Sequence, residues 1–208
     1  ALELPIDGAR LILTTTLACE AREAGRFFST STNEGNLITE IFLNILDPSA
    51  AFKKVEKLSK NFTLTEFEKS QTAIRQGLDN SMPEEHLENA KALCENVLQK
   101  VRDHFGPVII NSGYRGSALN SAVGGSAKSQ HCKGQAADIE IHGVSNFDLA
   151  KWIEKNTDFD QVILEFYTPG IPDSGWVHVT YNIAGNRGKS LTASKVDGRT
   201  HYSLGLIK

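Results

Sequence analysis

His131 and Asp138 set an imidazole and a carboxylate seven residues apart in Ser129-Gln130-His131-Cys132-Lys133-Gly134-Gln135-Ala136-Ala137-Asp138. Gly134 between them permits a tight turn. Neutral imidazole nitrogen and carboxylate oxygen are both zinc donors, and a catalytic zinc site needs only three protein ligands, so that water can take the fourth position. A third donor stands in Trp176-Val177-His178-Val179-Thr180-Tyr181, whose alternation reads as a strand with His178 on the face opposite Val177 and Val179. Taken singly, each residue has a plainer reading. A strand histidine is more often a satisfied structural residue, and Asp138 beside Ile139 could cap or form a salt bridge. The combination points to one metal centre.

The ordered pattern Ser-x-His-x-x-Gly-x-Ala-x-Asp, followed by Trp-x-His, resembles the signature of the zinc D-Ala-D-Ala peptidase superfamily. That superfamily includes peptidoglycan carboxypeptidases, phage endolysins and vancomycin-resistance dipeptidases, and its metal fold recurs in Hedgehog signalling domains. The resemblance covers about residues 60–195. It extends to Asn61-Phe62-Thr63-Leu64-Thr65-Glu66-Phe67, Ser112-Gly113-Tyr114-Arg115, Leu119-Asn120 with Val123-Gly124-Gly125-Ser126, and Phe159-Asp160-Gln161.

The resemblance implies one Zn²⁺ ion on His131, Asp138 and His178, a metal-activated water, and hydrolysis of peptide bonds in peptidoglycan stem peptides or crosslinks. Hydrolysis needs a general base that passes a proton to the departing amine. Glu165 is the candidate, at the end of the apolar run Val162-Ile163-Leu164, where burial near a cation would hold its pKa in a useful range. Its plainer reading is an edge-strand glutamate facing water. In several superfamily members the catalytic acid lies three residues before the last histidine, where this chain has Gly175. Three readings stay open: Glu165 substitutes from another strand, Asp173 reaches in from the loop, or the domain is an inactive zinc-fold binding or structural module.

Arg115 resembles the arginine that faces substrate in this superfamily. Its planar fork suits a terminal carboxylate or an oxyanion, and a structural salt bridge is the alternative. Ser129 and Gln130 could hydrogen-bond substrate, and Gln161 could orient Glu165. Of the remaining histidines, His86 reads as exposed, His104 as closing a helix, His142 as outside the metal's first shell and His201 as part of a polar tail. Cys132, on an extended chain beside His131, would point away from the metal.

Several elements must position these groups. Thr63 and Glu66 have capping-box spacing. Pro83 to His104 is the clearest helix, with Leu87, Ala90, Leu93, Cys94, Val97, Leu98 and Val101 at the 3.6-residue period, Ser81 as its cap and Gly106-Pro107 as its stop. Cys94 on that stripe reads as a buried structural thiol. Strands are expected at Val108–Ser112, Ala136–Ile141, Gln161–Phe166 and Trp176–Tyr181, with a helix over Asn146–Lys155 following Ser145. The expected class is α+β: a small, mainly antiparallel sheet with helices on one face, of Hedgehog/DD-peptidase type. Residues 59–208 would form the peptidase domain. Residues 1–58 would be a partly helical extension with a packing helix over Gly35–Leu46, an ambiguous Ala9–Ala24, and Lys53, Lys54, Lys57 and Lys60 on a solvated helix face. The extension could dock a protein partner.

The bulk numbers fit these expectations. The chain has 208 residues and a formal net charge of −3, so no broad cationic field marks a nucleic-acid or membrane-surface binder. No apolar run approaches the roughly 20 residues of a membrane span. Cys19, Cys94 and Cys132 lack CxxC spacing, which argues against a thiolate site or a disulfide framework. Residues 1–25 lack the order of an export signal. The resemblance to compact, unexported superfamily members implies a phage setting, with release assisted by lysis or association with the virion.

Overall fold

The computed structural model describes residues 2–6, 9–13 and 56–208. The chain divides into two compact units, Ala1–Lys54 and Val55–Lys208. In the first, β1 (Leu2–Ile6) and β2 (Ala9–Leu13) pair antiparallel, with Leu2 opposite Leu13 and Ile6 opposite Ala9. The expected helix over Gly35–Leu46 and the rest of Ala9–Ala24 lie outside the described residues, as do Lys53 and Lys54. Lys57 and Lys60 are exposed but stand on a bend and an isolated bridge rather than on a helix.

The second unit opens with α1 (Leu64–Glu68), which starts where the sequence predicts. Thr63 Oγ1 accepts from the Glu66 amide at 3.3 Å while Glu66 Oε2 accepts from the Thr63 amide at 3.0 Å. This reciprocal cap satisfies two amides that the first turn leaves unpaired. A second short helix, α2 (Gln71–Gln76), follows. The long amphipathic stretch becomes α3 (Glu84–Leu93), a π-helical segment Cys94–Leu98, and α4 (Gln99–Phe105). Its N-cap is Pro83 rather than Ser81. Pro83 offers no side-chain acceptor, and the His86 amide donates to the Pro83 carbonyl oxygen at 3.0 Å instead. Gly106, at φ +93°, ends α4 in a conformation other residues rarely adopt.

The remaining elements are β3 (Ile109–Ser112), α5 (Ser117–Ala122), a 3₁₀ turn (Gln130–Lys133), β4 (Ala136–Glu140), α6 (Asn146–Asn156), β5 (Gln161–Glu165), β6 (Trp176–Thr180), β7 (Lys189–Val196) and β8 (Arg199–Leu204). Strands β3 to β8 form one six-stranded sheet in the order β3-β4-β6-β5-β7-β8. Every pair is antiparallel except β5 with β7. The α+β class and its mainly antiparallel sheet are as expected. Strands β7 and β8 are additional, and they make His201 a strand residue instead of part of a tail.

Strand alternation divides the sheet into two functions. Ala137, Ile139, Val162, Leu164, Val177 and Val179 project on one face and join Leu93, Val97, Leu98, Leu149 and Ile153 of the helices in the main core. Each fully buried side chain of this size contributes about 2 kcal/mol of hydrophobic stabilisation. The alternate residues face the other way: Asp138 on β4, Ile163 and Glu165 on β5, and Trp176 and His178 on β6. The helices thus cover one face while the opposite face carries the polar groups. Among the described residues no helix is long and apolar enough to cross a membrane.

Candidate metal centre

Register brings the three predicted donors together. Asp138 on β4 pairs directly with His178 on β6, so both side chains leave the same face at neighbouring positions. His131 arrives from the 3₁₀ turn, which ends at Gly134 in a left-handed conformation (φ +68°). A Cβ at Gly134 would lie 2.7 Å from the carbonyl oxygen of His86, so both backbone conformation and contact demand glycine. One donor atom from each of His131, Asp138 and His178 lies within 4.8 Å of the others. His131 Nε2 is 3.3 Å from His178 Nδ1, and Asp138 Oδ1 is 2.7 Å from His178 Nδ1 and 3.3 Å from His131 Nε2.

The surroundings suit a cation. His131 is 1% exposed and its Nδ1 lies 2.6 Å from the Gly113 carbonyl oxygen, to which it donates. This contact fixes the tautomer that leaves Nε2 with a free lone pair aimed at the cluster. Burial disfavours the charged imidazole and lowers its pKa, which keeps it a neutral donor. Burial also opposes ionisation of Asp138, but the facing His131 and His178 rings hold its carboxyl well below the usual range. A carboxylate between two imidazoles is a donor set that zinc accepts.

The motifs around the cluster have local reasons. Gly113 lies against α1: a Cβ there would meet the Phe67 carbonyl oxygen at 2.7 Å, and the Tyr114 amide donates to that oxygen at 2.8 Å. Asn80 Nδ2 donates to the carbonyls of Glu68 and Tyr114, and Asn80 Oδ1 accepts from the Gly116 amide. Together they lock the Ser-Gly-Tyr-Arg segment that carries both the His131 acceptor and Arg115. Arg115 Nη2 donates to Asp138 Oδ2 at 3.1 Å, and its buried Nε has no partner among the described residues.

A cleft of about 970 Å³ opens over the cluster, and its lining includes Arg115, Ser129, Gln130, Gln161 and Glu165. Glu165 is half-buried on β5, and that burial raises its pKa. It pairs across the sheet with Trp176, two residues before His178, and lines the same cleft as His131, Asp138 and His178. Asp173 is exposed and does not line the cleft. Gly175 has a packing explanation: at φ +66°, a Cβ would lie 2.8 Å from the Phe166 carbonyl carbon and closer still to the Glu165 carbonyl oxygen.

Gln130 lines the cleft, but its amide is also engaged: Nε2 donates to Asp160 Oδ2 at 3.0 Å and Oε1 accepts from Arg187 Nη2 at 3.3 Å. Asp160, 1% exposed, accepts from Arg187 Nε and Nη2 at 2.7 and 2.6 Å and from the Thr180 hydroxyl at 3.2 Å. This network braces the turn carrying His131. Gln161 faces the cleft but sits four residues before Glu165, roughly 13 Å along an extended strand, beyond reach for orienting its carboxyl.

Of the other expectations, those for Cys132 and His86 are revised, while His104 and Cys94 stand where expected. Cys132 is on the 3₁₀ turn rather than extended chain. His86 is half-buried, with its ring 6.1 Å from that of Tyr114. His104 closes α4 and stacks on Trp152 at 4.7 Å. His142 is exposed, and Cys94 is fully buried with its thiol pKa pushed up by desolvation. Tyr202 and Thr200 of β8, which the sequence reading passed over, also line the cleft. The signal for them was Asp197-Gly198, a two-residue hairpin turn with both φ values positive (49° and 74°).

A sequence model of the family described as Peptidase M15 matches residues 60–180, more than half of the 208. The chain belongs to the peptidase M15 family. Members of the family are zinc-dependent peptidases of peptidoglycan-type substrates. Among curated proteins none matches the chain. The family match spans every element that supplies the cluster, from α1 to β6, and ends before β7.

Proposed function

We propose that this chain hydrolyses peptide bonds in D-amino-acid-containing stem peptides or crosslinks of peptidoglycan, with Glu165 as general base. The observation that carries the reading is the convergence of His131, Asp138 and His178 beneath a cleft that Glu165 and Arg115 also line. His131 Nε2, Asp138 and His178 would hold one Zn²⁺, which when bound supplies a water of lowered pKa and polarises the scissile carbonyl.

The chain's own groups account for the rest. Glu165 takes the proton of the attacking water and delivers it to the departing amine nitrogen. Its raised pKa favours this exchange, because a base whose pKa lies nearer the working pH also gives its proton back readily. Arg115 is oriented by Asp138 and presents its planar donors to the developing oxyanion or to a substrate carboxylate. Ser129 and Gln161, both on the cleft wall, would hydrogen-bond the substrate backbone. Gln130 combines a place on that wall with the brace to Asp160.

Gly175 would otherwise be the best support for an inactive binding module. Its contact with the Glu165 backbone offers a packing reason for the glycine. Treating purified peptidoglycan with the protein, with and without a chelator, and weighing the released fragments tests the proposal. Chelator-sensitive release of D-alanine identifies a carboxypeptidase, and release of larger stem fragments identifies an endopeptidase. No release from any wall type would overturn the enzymatic reading.

A further inference from the structure

Beyond β6 the chain adds the β7–β8 hairpin to the sheet, and the hairpin reaches back into the cleft. Glu165 on β5 is in register with Ala193 on β7, which is in register with Tyr202 on β8. On the other side Glu165 pairs with Trp176 on β6. One row across the sheet therefore reads Trp176, Glu165, Ala193, Tyr202. Strands are about 4.8 Å apart, so Tyr202 starts roughly 10 Å from Glu165 with only a methyl group between them. Ala193 is 1% exposed, whereas Tyr202 is 57% exposed although it sits on the cleft wall with Thr200. Tyr202 therefore offers an aromatic face to whatever occupies this side of the cleft. The Glu165 charge contributes to raising the Tyr202 phenol pKa, after desolvation, which agrees with this proximity.

We infer that the β7–β8 hairpin forms the subsite for the leaving fragment of the substrate, with Tyr202 as its specificity-determining contact. This rests on the proposed role of Glu165. A base that protonates the departing amine must have that amine beside it, and the order β4-β6-β5-β7-β8 puts the metal cluster on one side of Glu165 and the hairpin on the other. The acyl part then lies over Asp138, His178 and Arg115, and the amine-bearing part runs past Glu165 along the cleft wall toward Tyr202. Ala193 is itself covered, so the contact on this side of the cleft comes from the exposed Tyr202 ring, which would meet the fragment by van der Waals contact. The fragment class that fits is a short peptide or amino acid with a free amine after cleavage, which for the proposed substrate is D-alanine or a D-alanine-terminated dipeptide.

The test measures binding of D-alanyl-D-alanine by calorimetry to the zinc-loaded protein, its Tyr202→Ala variant and its Tyr202→Phe variant. Losing one aromatic contact should weaken binding by about fivefold to tenfold in Tyr202→Ala. Tyr202→Phe should bind within about twofold of the parent, because it keeps the ring. In turnover, Tyr202→Ala should raise KM for a substrate with a peptide leaving group and leave KM for the matching primary amide, whose leaving group is ammonia, unchanged. Equal KM changes on both substrates, or unchanged dipeptide binding in a Tyr202→Ala protein with the parent's circular dichroism, would overturn the hairpin subsite. Absence of all turnover in the parent would overturn the peptidase reading instead, and the dipeptide binding comparison would still decide the role of Tyr202.

Discussion

Placing aspartate at Gly175 restores the residue type that several superfamily members carry three residues before the last histidine, and the structure predicts that it damages this protein. Gly175 has φ +66°, a conformation costing a residue with a Cβ roughly 1–2 kcal/mol. The added Cβ would lie 2.8 Å from the Phe166 carbonyl carbon and 2.9 Å from the Tyr167 nitrogen, besides pressing on the Glu165 carbonyl oxygen. All three are backbone atoms and cannot rotate away, so relief must come from moving the end of β5, at about 1–3 kcal/mol more. A total near 3 kcal/mol lowers Tm by about 6–12 °C for a domain of this size. Because β5 ends on Glu165, the same shift displaces the proposed base. Thermal unfolding and kcat/KM on a stem peptide should therefore both fall in Gly175→Asp. A Gly175→Asp protein with the parent Tm that also restored turnover to Glu165→Gln would show that packing does not demand glycine at this position.

Other outcomes follow from the same geometry. Burial raises the Glu165 pKa, and the base must be deprotonated to act, so kcat/KM of the zinc-saturated protein should rise with pH through a midpoint above 4.5, the group's ordinary value; a profile flat down to that pH would contradict the assignment. Asp160 is held below the usual carboxylate range by Arg187, so its stabilising effect is complete above that range and is lost as pH falls through its folded value. Asp160→Asn should cost about 2 kcal/mol near neutral pH, read by denaturant unfolding, and should lessen the protein's loss of stability in acid. Zinc at about a hundred times its Kd should raise Tm by roughly 5–11 °C, corresponding to about 2.7 kcal/mol. His178→Ala should abolish that rise in a scanning-calorimetry titration.

Legibility in the sequence followed physical contrast. The long helix and strands β3 to β6 showed themselves because one face of each is apolar at its own period: Leu93, Val97 and Val101 on the helix, Val177 and Val179 on β6. His131, Asp138 and His178 stood out against that background by chemistry and order, and the strand reading of His178 holds because β6 is a true strand. Strands β7 and β8 lacked the contrast. Lys189-Ser190-Leu191-Thr192-Ala193-Ser194-Lys195 buries only Leu191 and Ala193, in a small second cluster with Ile163, and the outward residues are polar. Their pairing depends on the distant edge of β5, which no local pattern announces. The short helices α2 and α5 and the 3₁₀ turn are too brief to show a period, so Cys132 was read as extended chain. Tyr202 was invisible as a cleft residue for the same reason as its strand.

Peptidoglycan turnover in two proteins with equal bound zinc, the parent and Glu165→Gln, each assayed with and without chelator, separates the role of the metal from that of the base. The parent should release peptide fragments or D-alanine only when zinc is present, and Glu165→Gln should keep its zinc and its fold while losing at least about a hundredfold in rate. Undiminished release by zinc-loaded Glu165→Gln would contradict the assignment of Glu165 as the base, and release by the parent unaffected by chelator would contradict the metal centre itself.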